Sequence, residues 1–276
     1  MAKEPFQEGT EAHYRDGRYY DHRYRQRRHD VQHYVELARR SGGPVLELGV
    51  GTGRVAMAIA ATGVEVVGVD SMPPMLERAR AQLETKPKRL QRLVTLTEGD
   101  MREVRLGRRF PLVIAPFNVF MHLYTRRDVE HALATVSTHL ENRGRLGFDV
   151  LMPDARALSR DPSRIYKCRP IRHPVDGRRY DYREAFYYDP VNQVQLVNTI
   201  LEDRDSPGNV QLSQLNHRQF FPQELEALLH YNGFRILEHR GDFEGRKIHP
   251  LAESQVVVAE HHLGPGVAVD RLGRVT

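Results

Sequence analysis

The sequence predicts an α/β protein with a doubly wound, mostly parallel seven-stranded sheet and an antiparallel β insertion as a lid. Three observations predict it. Strand-length apolar runs alternate with helix-length amphipathic stretches from Pro44 to Leu151. A glycine-rich turn, Gly49-Val50-Gly51-Thr52-Gly53, joins the first such run to its helix. From Asp154 to His217 the helical period gives way to short alternating runs such as YDYREAFYYD and QVQLVNTILED, which read as antiparallel strands.

The elements follow in order. Residues 1–43 read as an N-terminal helical cap, in which Val31, Tyr34, Val35 and Leu37 recur at helical spacing until Ser41-Gly42-Gly43 stops them. Pro44–Leu48 is a buried strand, Arg54–Ala61 a helix, and Val64–Val69 a second strand that ends at Asp70. Two strands joined by a helix of this length make a right-handed parallel unit. The alternation continues with a helix around Pro73–Leu83, strands at Leu93–Thr97 and Leu112–Pro116, a helix at Asp128–Leu140 and a strand at Gly144–Leu151. The expected Rossmann-like core is thus 44–153, the lid 154–217, and 218–262 the return of the core with a last helix and two strands. Residues 263–276 read as a loosely held tail.

With 276 residues, 40% of them hydrophobic, the chain supports one main core. No stretch reaches the roughly 18 consecutive apolar residues of a membrane span, and the first thirty residues do not resemble a signal peptide. A cytoplasmic protein without a membrane partner is expected. Cys168, the single cysteine, excludes an internal disulfide and a cysteine-rich zinc site, and no metal is assigned. The net charge of +5 and the arginines at 15, 18, 23, 25, 27 and 28 keep RNA open as a partner, although Asp16, Asp21 and Asp30 are interleaved with them.

The glycine turn lies at the carboxyl edge of the sheet, where such folds bind ligands. Glycines at 49, 51 and 53 remove three side chains and expose amides near a helix N-terminus, so a bound group can approach the backbone. A dinucleotide fingerprint would place its third glycine where Arg54 stands, which weakens a pyrophosphate reading. Glu47 precedes the glycines, and Asp70 ends the next strand, where a carboxylate can accept ribose hydroxyls.

At these residues the sequence resembles the class I S-adenosylmethionine-dependent methyltransferases, whose first motif, E-x-G-x-G-x-G, is matched by Glu47, Gly49, Gly51 and Gly53. Asp70-Ser71-Met72 and Glu98-Gly99-Asp100-Met101 match the acidic ends of the second and third strands. The resemblance implies that the glycine loop receives the methionine part of S-adenosyl-L-methionine. It further implies that Asp70 holds the ribose, with Ser71 beside it, that Met72 flanks adenine, and that Asp100 and Met101 bind the adenine edge. Pro116, at the end of the fourth strand, joins this cofactor set.

Ala115-Pro116-Phe117-Asn118 lacks the polar first residue and second proline of the nucleobase amino-methyltransferases, which disfavours that subclass. The layout resembles instead small-molecule N- and O-methyltransferases acting on amino acids, amino sugars and natural-product scaffolds. That resemblance implies a small-molecule acceptor and an N-terminal residue over the cofactor's carboxylate, for which Tyr20, Tyr24 and Arg28 are candidates; helix packing is the competing role for the tyrosines. Methyl transfer is an in-line displacement, so the protein supplies alignment and a base only where the nucleophile arrives protonated. His122, just past the fourth strand, is the candidate base, and Phe117, Asn118, Tyr166, Tyr182 and His217 are candidate acceptor contacts. An RNA methyltransferase and a non-catalytic cofactor-binding protein are the alternatives.

Overall fold

The structure, a computed structural model, describes residues 5–262. In chain order its strands are β1 (Val45–Leu48), β2 (Val66–Asp70), β3 (Val94–Glu98), β4 (Phe110–Ala115), β5 (Leu140–Leu151), β6 (Ile165–Lys167), β7 (Ile171–Arg172), β8 (Arg179–Asp189), β9 (Val194–Asp203), β10 (Val210–Arg218), β11 (Phe234–Arg240) and β12 (Ser254–His261). They fall into two compact units. One comprises Arg27–Met152 and the segment from Phe220; the other comprises the segment up to Gln26 and Pro153–Gln219.

The first unit holds a seven-stranded sheet in the order β11-β12-β5-β4-β1-β2-β3. The pairs β1/β2, β1/β4, β2/β3 and β4/β5 are parallel, while β12 runs antiparallel to both β5 and β11. This is the expected mostly parallel, doubly wound sheet. Its inner strands β1, β2 and β4 are buried on both faces because helices cover both. Leu46, Leu48, Val113 and Phe148 pack with residues of the helices Arg126–His139 and Pro222–Tyr231. Val45, Val66, Leu112 and Ile114 pack with those of His29–Ser41, Arg54–Ala60 and Pro73–Glu84. Strand order reverses at β1/β4, and the crevice beyond the carboxyl ends at such a switch point is where ligands of open α/β sheets bind.

Several boundaries differ from the sequence expectation for physical reasons. The helix expected from Asp128 begins at Arg126, because Thr125 and Asp128 form a reciprocal capping box. Strand β5 begins at Leu140, which pairs with Phe110; the polar Glu141–Arg143 segment that looks like a loop is a register shift within the strand, after which Arg145 pairs with Leu112. The helix His29–Ser41, expected within one N-terminal cap, belongs to the core unit. Its stripe of Tyr34, Leu37 and Ala38 is buried, and Leu37 fills the space over Gly147 of β5.

The second unit is built on an antiparallel sheet ordered β10-β9-β8-β6, with β7 also on β8. The first helix, Pro5–Glu11, is tied to β10 by Asn216, whose side-chain amide donates to the Phe6 carbonyl (2.7 Å) and whose N–H donates to Thr10 Oγ1 (3.2 Å). Asp16 caps the next helix, Gly17–Tyr24, by accepting from the Arg18 and Tyr19 amides. The expected lid boundary at 154 thus lies beside the unit boundary at Pro153, but residues 5–26 group with the antiparallel sheet. The tail expected at 263–276 lies outside the described residues. Among the described residues no helix is long and apolar enough to cross a membrane.

Candidate active site at the carboxyl edge of the parallel sheet

The loop after β1 is left-handed at Gly49, Gly51 and Gly53, with φ of +68°, +56° and +82°. Glycine is needed there, yet only partly to admit a ligand. A Cβ at Gly49 would lie 2.4 Å from Val119, and one at Gly53 would lie 2.8 Å from Met57, so these two positions make room for the protein's own side chains. A Cβ at Gly51 would meet no clash, only ordinary contact with Met75 at 3.5 Å and the Gly49 carbonyl at 4.0 Å. Gly51 is therefore the one of the three whose place a Cβ could take without displacing a protein side chain.

Asp70, at the end of β2, holds the loop from the other side. Its Oδ2 accepts the Gly51 N–H at 2.7 Å and its Oδ1 accepts the Met72 N–H at 2.8 Å. The Ser71 amide bonds the same carboxylate, so three of its roughly four lone-pair sites are used and it keeps room for one further donor such as a hydroxyl. Burial raises its pKa above the ordinary value, against the lowering effect of these amides. Glu47 in β1 is buried, and its Oε2 has no hydrogen-bond partner. Burial pushes its pKa well up, opposed by the nearby Arg54 guanidinium. An orphaned carboxylate oxygen beneath the glycine loop suits a cationic or N–H-bearing ligand group.

Beyond β4 the chain turns through Phe117 and Asn118, both left-handed, at φ 62° and 63°. Asp149 of β5 accepts the Phe117 N–H at Oδ1 (2.7 Å), and its backbone carbonyl accepts the Asn118 N–H (3.2 Å). The Tyr34 hydroxyl also donates to Asp149 Oδ1, at 2.6 Å. Arg27 lies over the Phe117 ring at 4.3 Å, and Arg54 lies 5.5 Å from the same ring while clamping the buried Asp30 through two hydrogen bonds of 2.8 and 2.6 Å. The 3-10 turn Val119–His122 follows and carries His122, whose Nδ1 is 3.4 Å from the Tyr124 hydroxyl.

Residues 45–144, which contain both loops, match the family described as a methyltransferase domain. That segment is similar to methyltransferase domains, and the chain has the class I fold. Its similarity extends to the cypemycin N-terminal methyltransferase of a Streptomyces species, 34% identical over 112 residues, which are 41% of this chain and 43% of that protein. It also extends to the dTDP-3-amino-3,4,6-trideoxy-alpha-D-glucopyranose N,N-dimethyltransferase of Streptomyces venezuelae, 29% identical over 42% of this chain and 45% of that protein. The match thus spans less than half the length of these curated relatives. Among solved structures, the CcbJ methyltransferase of Streptomyces caelestis aligns with a TM-score of 0.74 and 27% identity over 86% of this chain and 91% of that one.

Within residues 45–144 the structure gathers Glu47, Gly49, Gly51, Gly53, Asp70–Met72, Asp100, Met101, Pro116–Asn118 and His122 at or just beyond the carboxyl ends of β1 to β4. Met101 packs against the core, and Pro116 is buried. Asp100 is more committed than the resemblance implied: its carboxylate accepts three guanidinium hydrogen bonds from Arg102, at 2.6–3.0 Å, and Arg102 also bonds Asp128. Arg28 is exposed at the start of the helix His29–Ser41, whereas its neighbour Arg27 stacks on Phe117.

Tyr20, Tyr24, Tyr166, Tyr182 and His217 belong to the antiparallel unit. Tyr20 and Tyr24 pack in an aromatic group with His13 and Tyr14, with 4.7 Å between the two tyrosine ring centroids. Tyr166 meets Phe186 edge-on, and His217 stands on β10. Tyr182 accepts from Arg23 at 2.8 Å and donates to Glu184; burial and that carboxylate raise its pKa, which makes it a poor phenolate base near neutrality. Sequence reasoning missed Arg27, Asp30, Arg54 and Asp149. The one available signal was Asp149, an acid within the apolar run of β5.

Proposed function

We propose that the protein transfers a methyl group from S-adenosyl-L-methionine to an N or O nucleophile of a small molecule, with an amino group as the preferred acceptor. The observation that carries the cofactor assignment is the glycine loop pinned by Asp70 above the buried, unpartnered Glu47 oxygen. In this reading the glycine loop receives the cofactor, Asp70 accepts one of its ribose hydroxyls, Glu47 faces its amino-acid end, and Met72 and Met101 flank its base. When bound, the cofactor supplies an electrophilic methyl group on sulfonium, already activated for displacement. The chain's own task is to align and desolvate the nucleophile. His122 takes the proton if an ammonium or hydroxyl arrives, its place beyond β4 being the support for that role.

A nitrogen acceptor is favoured because both curated relatives described above are named for N-methylation. We further infer that the antiparallel unit selects the acceptor, since Tyr166, Phe186, Tyr182 and Arg23 offer ring faces and hydrogen-bonding groups. An RNA acceptor draws less support: of the clustered arginines, Arg23 bonds Tyr182 and Arg27 stacks on Phe117, leaving Arg15, Arg18, Arg25 and Arg28 exposed.

Calorimetry with S-adenosyl-L-methionine, its demethylated product and a nicotinamide dinucleotide tests the cofactor assignment. Binding of the dinucleotide alone would defeat it. Incubation with amine, hydroxyl and RNA acceptors, read by mass for an added methyl group, tests the acceptor class. Methylation confined to RNA, with steep loss on added salt, would overturn the small-molecule reading.

A further inference from the structure

Phe117 and Asn118 are consecutive residues in the left-handed region, where a side chain costs about 1–2 kcal/mol. Asparagine tolerates that region; phenylalanine rarely enters it. Glycines at these positions would remove the cost, as they do in the loop after β1, so the turn persists only because its surroundings over-determine it. One residue supplies the key hydrogen bonds. Parallel pairing of β4 with β5 reaches Ala115 opposite Phe148, and at the next residue Asp149 takes the Phe117 N–H on its carboxylate and the Asn118 N–H on its carbonyl. The carboxylate is itself fixed by Tyr34, at 2.6 Å.

A buried carboxylate is an expensive way to fill this place. Asp149 has no solvent exposure, its Oδ2 has no hydrogen-bond partner, and Arg27 approaches that oxygen only to 3.9 Å. For packing alone an apolar residue would serve at lower cost. The turn it maintains also seats Val119 against Gly49 and leads to His122, and Asn118 Oδ1 is a second buried oxygen with no partner.

We propose that Asp149 is a positioning residue for the reaction: by holding Phe117 and Asn118 left-handed it sets how the loop after β4 presents Asn118 and His122 to the acceptor. This rests on the methyl-transfer reading above. It places the effect of Asp149 on acceptor alignment, not on cofactor affinity.

The test is a double-mutant cycle read in kcat, in cofactor Kd and in backbone geometry. Asp149→Ala should lower kcat by about 100-fold, the scale of a displaced reacting group, while cofactor Kd changes less than about threefold. Asp149→Asn keeps an acceptor for the Phe117 amide and should recover most of the rate. In a Phe117→Gly background, where the left-handed turn needs no support, the Asp149→Ala penalty should shrink by at least about tenfold. Equal penalties in both backgrounds overturn the proposal. Crystal structures of the wild type and Asp149→Ala read φ at 117 and 118 without any turnover. Retention of both positive angles in the variant defeats the proposal alone, whereas a wild type that transfers no methyl group to any acceptor defeats the methyl-transfer reading and the catalytic role with it. If Asp149→Ala does not fold, Tyr34→Phe removes only the hydroxyl that fixes Asp149. It should lower kcat about tenfold with Kd unchanged, and an unchanged kcat overturns the proposal.

Discussion

Two left-handed loops lie at the switch point of the parallel sheet and are built by opposite means. The loop after β1 reaches positive φ with glycines, at no steric cost, and Asp70 then orders it. The loop after β4 reaches the same region with Phe117 and Asn118, at a cost, and Asp149 holds it there. The first is readable from residue identity. The second depends on a partner 32 positions along the chain. Conformation stored in glycines is written locally, while conformation stored as strain is written wherever the restraining group happens to be.

The largest expected effect tests whether the two loops interlock. Gly49→Ala should destabilise the protein by about 2–4 kcal/mol, the sum of a left-handed alanine and an overpacked contact with Val119. Val119→Ala on top of it should return the packing part, leaving about 1–2 kcal/mol of backbone cost. Gly51→Ala should show that backbone cost alone, since its Cβ would make only ordinary contacts. Urea denaturation of the four proteins decides. Equal losses at 49 and 51 would mean that Val119 does not constrain the glycine loop.

A second, somewhat smaller effect concerns the restraint on the glycine side. Asp70→Ala should weaken S-adenosyl-L-methionine binding by about 1.5–3 kcal/mol for each charged hydrogen bond lost. Calorimetry on folded variant protein measures it. If the dissociation constant does not move, the ribose is held elsewhere and Asp70 serves only to order Gly51 and Met72.

Asn118→Gly sharpens the contrast from the other loop. It exchanges a strained residue for a permissive one, so stability should change by less than about 1 kcal/mol. Acceptor KM should rise, because the buried Asn118 oxygen is gone. A rise in cofactor Kd with acceptor KM unchanged would assign Asn118 to the cofactor.

The gentlest expected effect is a slope against pH in the absence of cofactor. Glu47 titrates higher folded than unfolded because of burial, so the folded state holds its proton more tightly. Stability from this group is therefore present at low pH and is lost as pH rises from the ordinary carboxylate range through the raised folded value. Glu47→Gln lacks that loss, and its advantage over the wild type in urea should grow with pH across this window. A constant difference at all pH values would show that Glu47 is not burdened by its burial.

Much of this protein was legible in the sequence because its signals are local. Alternating apolar runs and amphipathic stretches determine a doubly wound sheet, since only helices on both faces can bury strands such as β1 and β4. Gly49, Gly51, Gly53, Glu47 and Asp70 mark the binding edge because left-handed backbone and strand-end acids have recognisable residue types. Tertiary structure decided what those residues meet. It assigned Gly49 to Val119 and Gly53 to Met57, tied Asp100 to Arg102, and grouped His29–Ser41 with the core through a buried stripe that the periodicity showed but could not assign. It also brought Asp30 to Arg54 and Asp149 to Phe117 and Tyr34, pairs remote in sequence. A buried charge or a strained turn persists only through its partners, and those partners become neighbours only when the sheet closes around them.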